Sequence, residues 1–121
     1  MDTDFVALKN KMAIRVVLIS ASSEELATKL AKALVKNNLA ACVNILPGVT
    51  SYFQWMGKLQ SASELILICK TVEPRLPDLI TLVKEMHDYE IPEIISLPVL
   101  EGLPSYCQWI FDSTIKKEAK S

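Results

Sequence analysis

The chain has 121 residues, of which half are hydrophobic and 22% charged, with thirteen Lys+Arg against fourteen Asp+Glu for a formal net charge of -1. That length suits a single domain with one core, and the near-neutral balance provides no field to attract a phosphate backbone, so nucleic acid is not an expected partner. The longest apolar run falls well short of the ~20 residues a membrane helix needs, and the start MDTDFVALKNKMA lacks a secretory apolar region, so the expectation is a cytoplasmic protein with no membrane partner.

Residues 1–12 show no period and read as a flexible N-terminal extension to a single domain over 13–115. IRVVLIS, residues 14–20, is β-branched and apolar on both alternating sets, which describes a strand covered on both faces. In SSEELATKLAKALVKNN, Ser22 and Glu25 have capping-box spacing, Leu26, Leu30 and Leu34 recur turn by turn, and Asn37-Asn38 close the helix.

AACVNILPGVTSYFQW, residues 40–55, reads as one long strand with a bulge or bend at Pro47-Gly48. MGK is the hairpin tip, and LQSASELILICKT returns with Leu65, Leu67 and Cys69 on one face and Ile66, Ile68 and Lys70 on the other. Pro74 and Pro77 open a second helix with Leu76, Leu79, Ile80, Val83 and Met86 as its buried stripe, and His87 falls at its end. EIISLPV, residues 93–99, is the last strand, Pro104 starts a short C-terminal helix, and residues 116–121 form a frayed tail.

The order is therefore α+β, a ferredoxin-like βαββαβ with a long central hairpin and a short C-terminal helix. Two helices cover one face of a four-stranded sheet, yet the strands are apolar on both. The second face must be buried by another chain, and the projecting hairpin needs its edges paired, so the pattern predicts a cyclic homo-oligomer.

His87 is the only histidine, within KEMHDYEIPEII, where Asp88, Glu90 and Glu93 are near in sequence. Imidazole suits copper or zinc, but a lone ring needs partners, and a helix-terminal histidine serves equally as a cap for the last carbonyls. Pro92 disfavours helix at Ile91, so Glu90 and Glu93 need not converge. Cys42 is a small buried hydrophobe or, with Met86 or Cys69 close by, a soft Cu(I) ligand. Tyr52 and Trp55 are interface anchors, and Glu64 and Lys70 either pair across a subunit boundary or mark the wet ends of a strand. Three cysteines without CxxC spacing fit reduced intracellular thiols rather than a disulfide framework or zinc ribbon. Neither a phosphate-binding glycine loop nor a nucleophile elbow is present, and the expectation is that the protein is not an enzyme.

The stretches NNLAACVNILPGVTSYFQWMGKL, ELILICKT, MHDYEIPEIISLPV and SYCQWI resemble the CutA divalent-cation tolerance proteins, from about Ile14 to Phe111. The resemblance implies a stable homotrimer with interlocking hairpins and a link to copper or another divalent cation. It also implies an architecture like that of trimeric PII-type signalling proteins, with small-ligand clefts between subunits that Trp55, Lys70, Tyr89 and Glu90 would line. Mammalian members are linked to acetylcholinesterase anchoring. The copper site of bacterial members takes a first-strand cysteine and two consecutive histidines. Those positions fall here on Ile19, Met86 and His87, and Asp88 stands where proline is usual. The resemblance thus implies at most a weak copper site at His87, with the Met86 thioether beside it.

Overall fold

The computed structural model describes Val6, Ala7 and residues 13–115. The expected N-terminal extension and the 116–121 tail lie outside those residues, except that Val6–Ala7 forms a short strand, β1.

The β-branched run Ile14–Ala21 forms β2, and Glu24–Lys36 forms α1. The cap of α1 differs from the expected one by a residue. Ser23 is the N-cap, its Oγ accepting the Leu26 N–H at 3.1 Å, because the Ser22 hydroxyl is engaged elsewhere and donates to Asp88 Oδ2 at 2.6 Å. Leu26 now stands three residues after the cap, so the reciprocal half of a capping box is missing, while Glu24 and Glu25 still complement the helix dipole. Asn37 and Asn38 do end the helix, Asn38 adopting a left-handed φ of 59°.

Strands β3 (Cys42–Trp55) and β4 (Lys58–Val72) form the long hairpin. Met56 and Gly57 make its two-residue turn with φ values of 53° and 79°, the positive pair that matches strand twist, and Lys58 belongs to the returning strand. The register shifts between Leu46 and Val49, where Gly48 has φ 74° and β3 carries one more residue than β4, the bulge expected at Pro47-Gly48.

A single 3₁₀ turn at Glu73–Arg75 leads into α2 (Leu76–Met86). Leu79 and Val83 are buried, and Leu76, Leu82 and Met86 pack beside them. Ile80 was expected in this stripe but is exposed. It lies about a quarter turn from the stripe's centre at 3.6 residues per turn, and Leu82 takes its place. Strand β5 (Ile94–Pro98), the two-residue β6 (Glu101–Gly102) and α3 (Pro104–Thr114) complete the chain. Pro104 is the first helical residue, as expected.

The main sheet is antiparallel with order β3-β4-β2-β5, the ferredoxin-like arrangement, and β1 pairs separately with β6. Residues directly opposite in the ladder share a face, which places Val17, Ile19, Val43, Ile45, Leu67, Cys69 and Ile94 together. These meet Ala27, Leu30, Leu34, Leu79 and Val83 of the helices in one core.

The second face carries Val16, Leu18, Leu46, Ile66, Ile68, Ile95 and Leu97 by the same alternation. Here the chain provides more cover than two helices would. Cys107 and Ile110 of α3 pack with Ile14 and Val72 at one end of this face. The rest stays open, with Ile95, Leu97 and Leu46 about half exposed.

A non-glycine residue at φ 53° carries strain that asparagine or glycine relieves. Replacing the exposed Met56 with Asn is expected to stabilise the fold by about 0.5–1 kcal/mol, read as a higher denaturant midpoint at unchanged slope.

Candidate functional site

The helix α2 stops at His87, whose backbone turns extended (φ -79°, ψ 148°) after its N–H has bonded the Val83 carbonyl at 2.9 Å. The ring then points inward, and its side chain is fully buried. Nε2 lies 2.6 Å from the Ser20 carbonyl oxygen, and Nδ1 accepts the Tyr89 backbone N–H at 3.1 Å. A carbonyl can only accept and an amide N–H can only donate, so the ring is neutral with its proton on Nε2. Asp88 Oδ1 sits 3.4 Å from Nδ1, but a nitrogen whose lone pair is taken by an N–H makes no ion pair with it.

The next two side chains extend this joint. Asp88 Oδ2 accepts the Ser22 hydroxyl proton at 2.6 Å. Tyr89 stacks at a tilt against His87, with ring centroids 4.9 Å apart, and its hydroxyl donates to Glu64 Oε2 at 2.7 Å. Burial, and then donation to the Glu64 carboxylate, push the Tyr89 phenol up to about 12. The end of β2, the start of α1, the end of α2 and the middle of β4 are thereby tied at one point.

Outside this joint lies a groove of about 910 Å³ between the hairpin and the loop leading to β5. Tyr52, Phe53, Trp55 and Tyr89 supply aromatic walls, and Glu64, Asp88, Glu90 and Glu93 supply carboxylates. Among the described residues that line it there is no lysine, arginine or histidine.

Trp55, Glu64, Tyr89 and Glu90 all line this one groove. Lys70 does not join them. It shares a sheet face with Glu64 but stands six residues farther along β4, about 20 Å at ~3.3 Å per residue, where its Nζ donates to Asn44 Oδ1. The candidate metal ligands His87, Met86 and Cys42 are not brought together either. Both nitrogens of His87 are committed, so the ring has no lone pair to offer. Met86 packs into the main core. Cys42 stands opposite Lys70 on the second face, away from the helix layer that Met86 joins. Cys69 faces the helices, opposite in sense to Cys42, and burial pushes its thiol up to about 12, so it is inert at neutral pH. Among the described residues no three His, Cys, Asp or Glu side chains are grouped to hold a metal ion.

Two features were not read from the sequence. Ser22 was assigned to the helix cap, which hid its bond to Asp88, and the Ser20 acceptor is a backbone carbonyl, which no side-chain pattern reveals. Adjacent serines before a helix offered the one available signal, since only one of them can be the cap.

Known proteins are similar to this chain in sequence and fold. The family model described as CutA1 divalent ion tolerance protein matches residues 15–113. The divalent-cation tolerance protein CutA of Thermus thermophilus is 48% identical over 99 residues, covering 82% of this chain and 96% of that protein. The chloroplastic protein CutA of Arabidopsis thaliana is 43% identical over 82% of this chain, which spans only 54% of that longer protein. The solved Cut A1 structure from Thermus thermophilus superposes with a TM-score of 0.83, at 46% identity over 84% of this chain and 98% of that one. CutA1 from Oryza sativa superposes at 0.85, with 38% identity over 88% and 98% respectively. With nearly the whole folded region matched, this chain belongs to the CutA1 divalent ion tolerance family.

Proposed function

We propose that the chain acts as a non-catalytic homotrimer that takes up divalent cations weakly at the carboxylate groove, and that His87 is a structural residue rather than a ligand. The observation that carries this reading is the groove's composition. Glu64, Asp88, Glu90 and Glu93 line it without three of them being grouped around one point, which suits weak uptake, and no basic side chain among its described lining neutralises them. Carboxylate oxygens are hard donors that suit divalent ions better than Cu(I), and with the imidazole, thioether and buried thiol engaged elsewhere the balance moves from Cu(I) toward Cu(II), Mn(II) and similar ions. The three free cysteines support placement in a reducing cytoplasm.

Trimer formation is supported by the open half of the second sheet face and by the exposed tip residues Tyr52, Trp55, Met56 and Leu59. A second reading, a regulatory trimer that senses a small ligand, is favoured by the aromatic walls and volume of the same groove, which suit an organic molecule as well as an ion.

Sedimentation is expected to give about three times the 13.5 kDa chain mass. A charge placed on the open sheet face, as in Ile68→Glu, is expected to shift the mass toward one chain. A wild-type mass near one chain in dilute buffer would overturn the assembly. In calorimetric titrations with Mn(II) and Cu(II), the double variant Glu64→Gln/Glu90→Gln is expected to bind about tenfold more weakly. His87→Gln, which retains one donor and one acceptor, should stay within about twofold of the wild type. A tenfold loss in His87→Gln would return the ring to the ligand set.

Raising the Tyr89 phenol from 10 to about 12 means that the folded state holds its proton after the unfolded state has released it. This contribution is complete below pH 10 and declines as pH rises through the folded value. Thermal midpoints measured between pH 9 and 12 are expected to fall less steeply in Tyr89→Phe than in the wild type.

A further inference from the structure

The groove beside Tyr89 is long rather than round. Beyond the bulge, Val49, Phe53 and Trp55 stand opposite Glu64, Gln60 and Lys58, so the Phe53 and Trp55 side chains share a sheet face with Glu64. Val49 and Trp55 are six residues apart, about 20 Å at ~3.3 Å per residue. The lining is therefore drawn out along the hairpin, from Glu64 toward the tip and away from Lys70. The loop that carries Tyr89, Glu90, Ile91 and Glu93 forms the other wall. Lys58, opposite Trp55 at the tip, is not among the lining residues.

Two of its carboxylates are held in place before anything binds. Glu64 Oε2 accepts the Tyr89 hydroxyl proton at 2.7 Å and Asp88 Oδ2 accepts that of Ser22 at 2.6 Å, which leaves each acid a second oxygen to offer. The aromatic wall is open as well. Phe53 is 42% and Trp55 51% exposed, and the ring pairs among the described residues, His87 with Tyr89 and Tyr106 with Trp109, include neither. Among the described residues no three acids gather at one point, so a metal ion in the groove meets few oxygens at once. A cation whose charges are spread along an apolar chain meets separate acids in turn, and its alkylammonium segments lie against aromatic faces.

Resting on the reading of this groove as a cation site, we propose that its ligand is a linear polyamine. Ammonium groups lie against Glu64, Asp88 and the acids of the loop, and the chain runs over Phe53 and Trp55 toward the tip. The groove's volume, about 910 Å³, falls within the ~300–1,000 Å³ typical of small-molecule sites. An extended ligand also suits a lining that follows a strand, where a compact ion would touch one end of it only.

The experiment is calorimetric titration of the full chain, its assembly checked by sedimentation, with spermidine, hexaamminecobalt(III), 1-aminobutane and Mn(II). Hexaamminecobalt(III) carries the charge of spermidine without a chain, and 1-aminobutane has a chain with one charge. Spermidine is expected to bind saturably and at least about tenfold more tightly than either. Trp55→Leu should weaken spermidine about fivefold and leave hexaamminecobalt(III) and Mn(II) within about twofold. Phe53→Leu gives the same comparison if Trp55→Leu alters the sedimented mass. Absence of saturable spermidine binding, equal affinity for hexaamminecobalt(III), or spermidine binding unaltered in a variant of unchanged mass would each overturn the proposal. Mn(II) binding without spermidine binding overturns the polyamine alone, and absence of both removes the cation reading of the groove as well. Spermidine binding without Mn(II) binding would support the polyamine and remove the metal.

Discussion

A four-stranded sheet has two faces, and helices of thirteen and eleven residues cover only one of them. Most of the architecture answers that shortage. Alternation places Leu67 and Cys69 beneath α1 and α2, where they are sealed, and the same alternation turns Ile66 and Ile68 outward. The short α3 folds back over Ile14 and Val72 and stops, leaving the remaining apolar strip open. Burial of such a strip stabilises by about 25 cal/mol per Å², which makes association the natural way to complete the fold. The long hairpin belongs to the same problem, since its outer half extends past the residues that α1 and α2 can reach.

Much of this was legible because period and punctuation are local properties. Leu30 and Leu34, Pro104 at the start of α3 and Pro47-Gly48 at the bulge announced themselves through spacing or through φ restrictions that act on one residue at a time. The errors came where a side chain had two uses. Ser22 could cap a helix or reach Asp88, and only the tertiary position of Asp88 decides. Ile80 continued an apolar stripe by spacing but sat at its edge, where rotation by one residue favoured Leu82. Lys70 was grouped with Tyr89 through family likeness, although it stands six residues along β4 from Glu64, about 20 Å at ~3.3 Å per residue, too far to reach the same groove.

The histidine illustrates how a functional signature can be structural in origin. An imidazole buried at the end of α2 carries one donor and one acceptor when neutral, and the Ser20 carbonyl and Tyr89 amide use both. Such a residue satisfies two backbone groups that would otherwise be stranded at the meeting of a strand end and a helix end. Its neighbours then do the facing outward. Asp88 and Tyr89 stand on the solvent side of the ring, and the Tyr89 hydroxyl reaches Glu64, so the groove's acidic wall is positioned from beneath by a ring that never touches its contents.

The bulge near Gly48 governs which residues that wall meets. Before it, odd-numbered residues of β3 pair with odd-numbered residues of β4, as Val43 does with Cys69. Beyond it, odd pairs with even, as Trp55 does with Lys58 and Val49 with Glu64. The extra residue thus works as a change of phase, carrying Phe53 and Trp55 onto the face that bears Glu64. Loss of one residue there would leave the core pairs Val43–Cys69 and Ile45–Leu67 in place while reversing the outer half of the strand. The segment from Cys42 to Trp55 should consequently tolerate changes of residue identity far better than changes of length, an unusual property for a stretch so exposed.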